Sequence, residues 1–186
     1  MKLLAGILII CCVFTGCSPK EQDLDAVMEL RQKILHANSC RFDATISAFY
    51  DESVYIYDLT CESDQDGNLQ FTVISPESIA GITGTLSANE AALTFDDTIL
   101  TFPQMADGRV SPVTGVWIFL NTLRSGYLSA CGRNADGLIL SIDDSYESDP
   151  LHLEIQTDHQ AIPIGAEIYY NQQRVLLIQI RNFTTQ

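Results

Sequence analysis

Basic residues are scarce: ten Lys and Arg stand against 24 Asp and Glu, a formal net charge of −14. That balance excludes a phosphate-tracking nucleic-acid surface and docking on anionic lipid through a basic patch. Histidine is almost as rare, and His36, His152 and His159 share no ligand spacing, so no His-Glu-x-x-His zinc motif exists. There is no Gly-x-Ser-x-Gly nucleophile elbow and no glycine-rich phosphate loop. Low-complexity tracts, repeats and domain-splitting linkers are missing as well. The one long apolar run, Leu3 to Phe14, falls short of the ~20 residues that a spanning helix needs.

That run has the flanks of a cleaved signal. Lys2 precedes it, Thr15-Gly16-Cys17 ends it with small residues and a cysteine, and Ser18-Pro19-Lys20 stops it. Phe14-Thr15-Gly16-Cys17 resembles the bacterial lipobox, which implies cleavage before Cys17 and lipid on its thiol. The expected organisation is a signal peptide over 1–16, a lipidated tether over 17–23 and a single domain over 24–186. The mature chain then keeps nine Lys and Arg against 24 acids, net −15. Its attachment to the extracytoplasmic face of the cell membrane rests on lipid, stably so with two or more acyl chains.

Leu24, Val27, Met28, Ile34 and Leu35 recur at helical spacing, with acids early and Arg31 and Lys33 late, as the helix dipole favours. From Phe42 onward the period changes to two. Alternating segments bounded by turn residues predict strands near 42–48, 55–59, 69–75, 79–86, 91–95 and 98–102. Residues 103–110 read as a loop. Ser111-Pro112 reads as an N-cap with proline at the first helical position, opening a helix with Val116, Trp117, Leu120 and Leu123 as its stripe and an end near Gly126. Four more strands are expected at 138–143, 151–157, 162–170 and 174–183. The fold class is mainly β (α+β): a strongly curved antiparallel sheet of about ten strands forming an unclosed barrel, with an N-terminal helix and a second helix covering the concave face.

In that element order the chain resembles the lipoprotein-carrier superfamily typified by LolA and LolB. Within it, Ser111-Pro112-Val113, Leu123-Arg124-Ser125-Gly126-Tyr127, Arg174-Val175-Leu176 and Asn182-Phe183 look like uncharacterised Firmicute lipoproteins and the spore-germination lipoprotein GerS. The superfamily resemblance implies a non-catalytic binding role for a lipid or other hydrophobic ligand. Likeness to GerS implies an envelope-protein partner instead, with regulation of a cell-envelope enzyme or a spore-germination step as the outcome.

Read residue by residue, Phe42, Ile46, Tyr55, Tyr57, Phe71, Trp117 and Leu120, with Phe95 and Phe102, either line an apolar cavity or fill the core beneath the sheet. Cys40 and Cys61 are expected to form a disulfide if the first hairpin turns at Tyr50-Asp51, because residues whose numbers sum to 101 then lie opposite. Cys131 reads as a small residue packed at a helix end. Glu62 to Asn68 resembles a calcium loop only briefly: counted from Glu62, the twelfth position is Val73, where an EF-hand needs glutamate. An acidic hairpin turn is the plainer reading. Asp96-Asp97 and Asp143-Asp144 read as solvated turns rather than glycosidase pairs. No metal, cofactor or enzyme activity is expected.

Overall fold

The computed structural model describes residues 21–88, 91–95, 98–102, 105–106 and 109–186. Cys17 and its lipobox, Asn89-Glu90 and Asp96-Asp97 lie outside the described residues, as do the side chains of Phe95 and Phe102.

Helix α1 (Glu21–Leu35) opens on Glu21 and Asp23 and closes on Lys33, the charge order its dipole favours. Its core face is Val27, Leu30 and Ile34. The single apolar stripe expected here divides: Leu24, Met28 and Leu35 are 40–48% exposed. At 3.6 residues per turn they sit roughly a quarter turn from the buried positions.

An eleven-stranded, wholly antiparallel sheet follows, in the order β6-β5-β4-β3-β2-β1-β13-β12-β11-β10-β9. Its first half comprises β1 (Cys40–Tyr50), β2 (Ser53–Ser63), β3 (Leu69–Ser75), β4 (Thr83–Leu86), β5 (Ala91–Phe95) and β6 (Thr98–Phe102). A two-stranded ribbon, β7 (Met105–Ala106) with β8 (Arg109–Val110), occupies part of the stretch expected to be loop. Helix α2 (Pro112–Ser125) carries proline at its start and has Ser111 at the N-cap in extended backbone. The second half comprises β9 (Tyr127–Arg133), β10 (Leu138–Asp143), β11 (His152–Thr157), β12 (Pro163–Tyr170) and β13 (Gln173–Thr185). Strand β9 went unforeseen. It is an edge strand with a mixed, largely exposed pattern, so it lacks the alternation that marks its neighbours. Cys131 therefore sits on this edge strand, opposite Leu140, and not at a helix end.

The two halves are meanders of sequential hairpins, and they meet where β1 pairs with β13. Backbone bonds from Asn38 and Ser39 to the Gln186 carbonyl, and from Gln186 back to Ser39, close that seam. Alternation sends Phe42, Ala44, Ile46 and Ala48 of β1 inward with Leu176, Ile178 and Ile180 of β13. Helix α2 lies across this inner face, and Gly115 permits the approach: a methyl group there would run into Leu176 Cδ1. Phe119 packs edge-on against Phe42, which also stacks on Phe183 at 5.7 Å.

The first hairpin is registered two residues away from the expectation. Tyr50 pairs with Ser53 across a two-residue turn, Asp51-Glu52, in which Asp51 takes the left-handed conformation (φ 53°). Cys40 is thus opposite Ser63, and Cys61 is opposite Phe42. Both thiols are buried and free, so the disulfide expected between them is not formed. A slip of two preserves every side chain's face, so apolar alternation cannot separate the two registers. The turn residues decide between them.

Candidate functional site

The inner face of the sheet is the natural place for a ligand in an unclosed barrel, and its cover is uneven. Direct cross-strand partners place Phe42, Cys61, Phe71, Gly84, Leu93 and Leu100 in one row across six strands. Helix α2 covers the start of the row, where Phe42 is 2% exposed. The Phe71 ring lies over Gly84, leaving no room for a Cβ. Beyond it Leu93 is half-buried and Leu100 is 60% exposed. Apolar side chains on the concave side therefore continue past the helix that covers them.

A side chain bordering a void wide enough for water would register exposed area. Ile46, Leu120, Phe42 and Phe71 show 0–2%, and Trp117 8%. These five fill a packed core around α2 and do not line a cavity there. Tyr55, at 50%, and half-buried Tyr57 lie on the same face nearer the first hairpin. The Tyr55 ring stands 6.0 Å from that of Tyr50, whose hydroxyl donates to the Val110 carbonyl and ties the β7–β8 ribbon to the sheet. Of the seven residues singled out from sequence, the structure gathers five in the core between α2 and the sheet, Trp117 and Leu120 from the helix and Phe42, Ile46 and Phe71 from the strands, and leaves the two tyrosines toward the open end. Leu93 and Leu100 were missed, since Ala91 to Phe102 reads equally well as strands buried on that face.

Polar clamps hold the helices against the sheet. Arg31 on α1 donates to the carbonyls of Leu123 (3.0 Å) and Gly126 (2.7 Å), with a third, longer contact to Arg124 (3.4 Å), and so closes the C-terminus of α2. Burial lowers the Arg31 pKa but leaves the guanidinium charged. Asp23 pairs with Arg133 at 3.1 Å, fixing α1 to the edge strand. The acidic turn once likened to a calcium loop is spent on the same task. Trp117 Nε1 donates to the Gly67 carbonyl (3.0 Å), and Arg124 donates to that of Gln65 (2.7 Å). Its Asp64 carboxylate accepts from both the backbone and the side chain of Asn68, and the several hydrogen bonds it receives outweigh desolvation and lower its pKa.

His36 and His159 are exposed and separate, whereas His152 Nδ1 meets Asp143 at 2.7 Å. Asp144 accepts from the Leu151 amide, and burial raises its pKa. Among the described residues no group of three or more His, Cys, Asp or Glu could hold a metal ion, and no helix is long and apolar enough to cross a membrane.

No protein-family model matches the chain, and no curated protein matches it in sequence. Solved structures do. A putative outer membrane lipoprotein-sorting protein domain from Vibrio parahaemolyticus is 7% identical at a TM-score of 0.51, over 89% of this chain and 93% of that one. A DUF1329 family protein from Desulfovibrio piger is 8% identical at 0.50, over 91% and 94%. A LolA superfamily protein from Nitrosomonas europaea is 9% identical at 0.49, over 88% and 93%. At such identities the likeness is one of fold: an open antiparallel sheet with two helices on its inner face, of the kind found in a domain named for lipoprotein sorting.

Proposed function

We propose that this chain is a non-catalytic binding protein of the cell envelope, anchored by lipid on Cys17 at the extracytoplasmic face of the membrane. Its ligand is apolar, a lipid or acyl chain laid on the uncovered end of the concave sheet. One observation carries the reading: the inner row runs from fully covered Phe42 to Leu100, which is 60% exposed. An aliphatic side chain on the concave side of an unclosed barrel, outside the helix cover, is surface that a hydrophobic ligand would remove from water. The anchor is supported by the apolar run ending at Thr15-Gly16-Cys17 and by the short stretch of chain between Cys17 and Glu21.

The test uses the chain from Ser18 onward, extracted with solvent for co-purified lipid and titrated with an environment-sensitive fatty-acid probe. Saturable probe binding that is lost in Leu100→Glu and kept in Val54→Glu, on the opposite face, supports the site. No lipid and no saturable binding would rule it out. For the anchor, palmitate labelling should vanish in Cys17→Ala while export continues.

A second reading, docking of a cell-envelope protein as regulator of an envelope enzyme or a germination step, is favoured by the filled core and by the convex side. There Val54, Ile56 and Ile74 are each more than half exposed. Crosslinking in the native envelope that captures a defined enzyme, abolished by Ile56→Glu and not by Leu100→Glu, would decide for it.

A further inference from the structure

The convex face of the second half carries a cleft that the apolar reading does not use. Cross-strand pairing sets Asp143, His152 and Tyr169 side by side on the outward face of β10, β11 and β12, with Glu154 two residues along β11 from His152. Two hairpin ends rise beside this floor. Ser148, Asp149 and Pro150 belong to the connection between β10 and β11, while Asn171 and Gln172 form the β12–β13 turn, both in left-handed backbone (φ 49° and 63°). The space between them is about 570 Å³, within the range of small-ligand pockets.

The polar inventory of the cleft is one-sided. Glu154 makes no hydrogen bond or ion pair with any described residue, and Asp149 accepts only from the adjacent Ser148 hydroxyl at 3.2 Å. The amides of Asn171 and Gln172 are likewise unengaged and can each present an oxygen inward. His152 is held through Nδ1 by Asp143, and the Tyr169 ring stands 6.2 Å from the imidazole as an aromatic wall. The neighbouring cation is already committed elsewhere: Arg174 binds Glu167 at 3.0 Å and lies 4.7 Å over the Phe49 ring. Glu167 is thus neutralised, whereas Asp149 and Glu154 face the cleft with no cation of their own.

We propose that this cleft binds a primary ammonium or guanidinium group, held between the Asp149 and Glu154 carboxylates with Tyr169 alongside it. Multi-donor cations match a set of acceptors that includes two unpaired carboxylates, and an aromatic face adds cation–π attraction. The lining holds no lysine or arginine for an anionic ligand, and the Nδ1 of its one histidine, His152, is already taken by Asp143. The site lies on the sheet face opposite the apolar surface, so it stands or falls independently of the lipid reading.

Calorimetric titrations of the chain from Ser18 onward, at 0.15 M salt, should use agmatine, a blocked glycyl-arginyl-glycine peptide and its citrulline counterpart. Citrulline keeps the shape of arginine and removes its charge. Saturable binding of the cationic probes is expected, about tenfold weaker in Glu154→Gln and in Asp149→Asn, with none for the citrulline peptide. Both residues are on the surface, and unchanged thermal unfolding of the variants confirms that they remain folded. Tighter binding of agmatine assigns the site to free amines, and tighter binding of the peptide assigns it to a partner's basic side chain. The proposal is overturned by equal affinity for the citrulline peptide, by unchanged affinity in the double variant, or by absence of saturable binding.

Discussion

Replacing Arg31 by methionine keeps most of the side-chain volume and removes the guanidinium that closes α2. Two of its hydrogen bonds, to Leu123 and Gly126, are 3.0 Å or shorter, and the third, to Arg124 at 3.4 Å, adds little. A hydrogen bond from a charged donor contributes about 1.5–3 kcal/mol, and a cation at a helix C-terminus about 0.3–1 kcal/mol. Arg31 is only partly buried, so water can reach some of the released carbonyls, and the sum is discounted accordingly. The expected loss is about 2–3 kcal/mol, a large share of the ~5–15 kcal/mol that holds a typical domain. In urea titrations followed by Trp117 fluorescence, the midpoint should fall by about 1 M with the slope unchanged. Lysine should restore less than half, because one ammonium cannot serve carbonyls spread around a helix end as a planar fork does. A loss below about 0.5 kcal/mol at constant slope would show that the clamp contributes nothing beyond what water supplies.

Maleimide should label partly exposed Cys131 in the native chain and reach Cys40 and Cys61, which are 2% and 1% exposed, only after denaturation. Burial raises the pKa of all three thiols, so access and not ionisation separates them; a disulfide between Cys40 and Cys61 in peptide maps would refute the register. Gly115→Ala should cost about 1–3 kcal/mol through overpacking against Leu176, measured by thermal unfolding. Leu120→Ala should cost about 2–5 kcal/mol, as expected of a filled core, and a markedly smaller loss would mean that α2 covers unfilled space. Tyr169 donates to Glu167 at 2.7 Å, and that bond, with burial, pushes its pKa up to about 12, so its phenolate absorbance should appear above that of ordinary tyrosines. A raised phenol pKa leaves its stabilisation intact below pH ~10 and removes it as pH climbs toward the folded value. Glu167, lowered by the Tyr169 bond and by Arg174, loses its contribution as pH falls through its own depressed value, and Glu167→Gln should return Tyr169 toward 10.

Periodicity made the architecture legible. Ten of the strands in the large sheet, both helices and the proline that opens α2 follow from period two, period 3.6 and turn residues. What escaped shares a physical cause. Strand β9 runs through Tyr127-Leu128-Ser129-Ala130-Cys131-Gly132-Arg133, an edge with no fully buried residue, so there was no alternation to read. The hairpin register failed by two because faces repeat every two residues, and only the left-handed Asp51 distinguishes the alternatives. The division of the α1 stripe depends on where β9 and β10 meet the helix, which local spacing does not encode. At the site, aromatic and aliphatic composition identified the residues of the inner face but not which of them α2 would cover. Arg31, Arg124 and Trp117 reach backbone carbonyls 50 or more positions away, and a carbonyl has no sequence signature. The acidic cleft escaped for the same reason, since its floor and walls come from separate hairpins.

The seam between β1 and β13 has a consequence for chains that are cut short. Every other pairing in the large sheet joins successive strands, whereas Arg181 reaches Thr45 across 136 positions. The entropic cost of closing the chain is concentrated at that one line. Each meander can zip from its own hairpins, but the two remain apart until residues 173–185 are available. A product ending before Gln173 would leave β1 and β12 as raw edges, adding two unpaired rows of amides and carbonyls to those at β6 and β9. The inward side of β1, with Phe42, Ala44, Ile46 and Ala48, would be stripped of its neighbour as well. Such a fragment is a template for strand addition between molecules, so degradation from the C-terminal end carries an aggregation hazard that nicking the β7–β8 ribbon, which leaves the seam closed, does not.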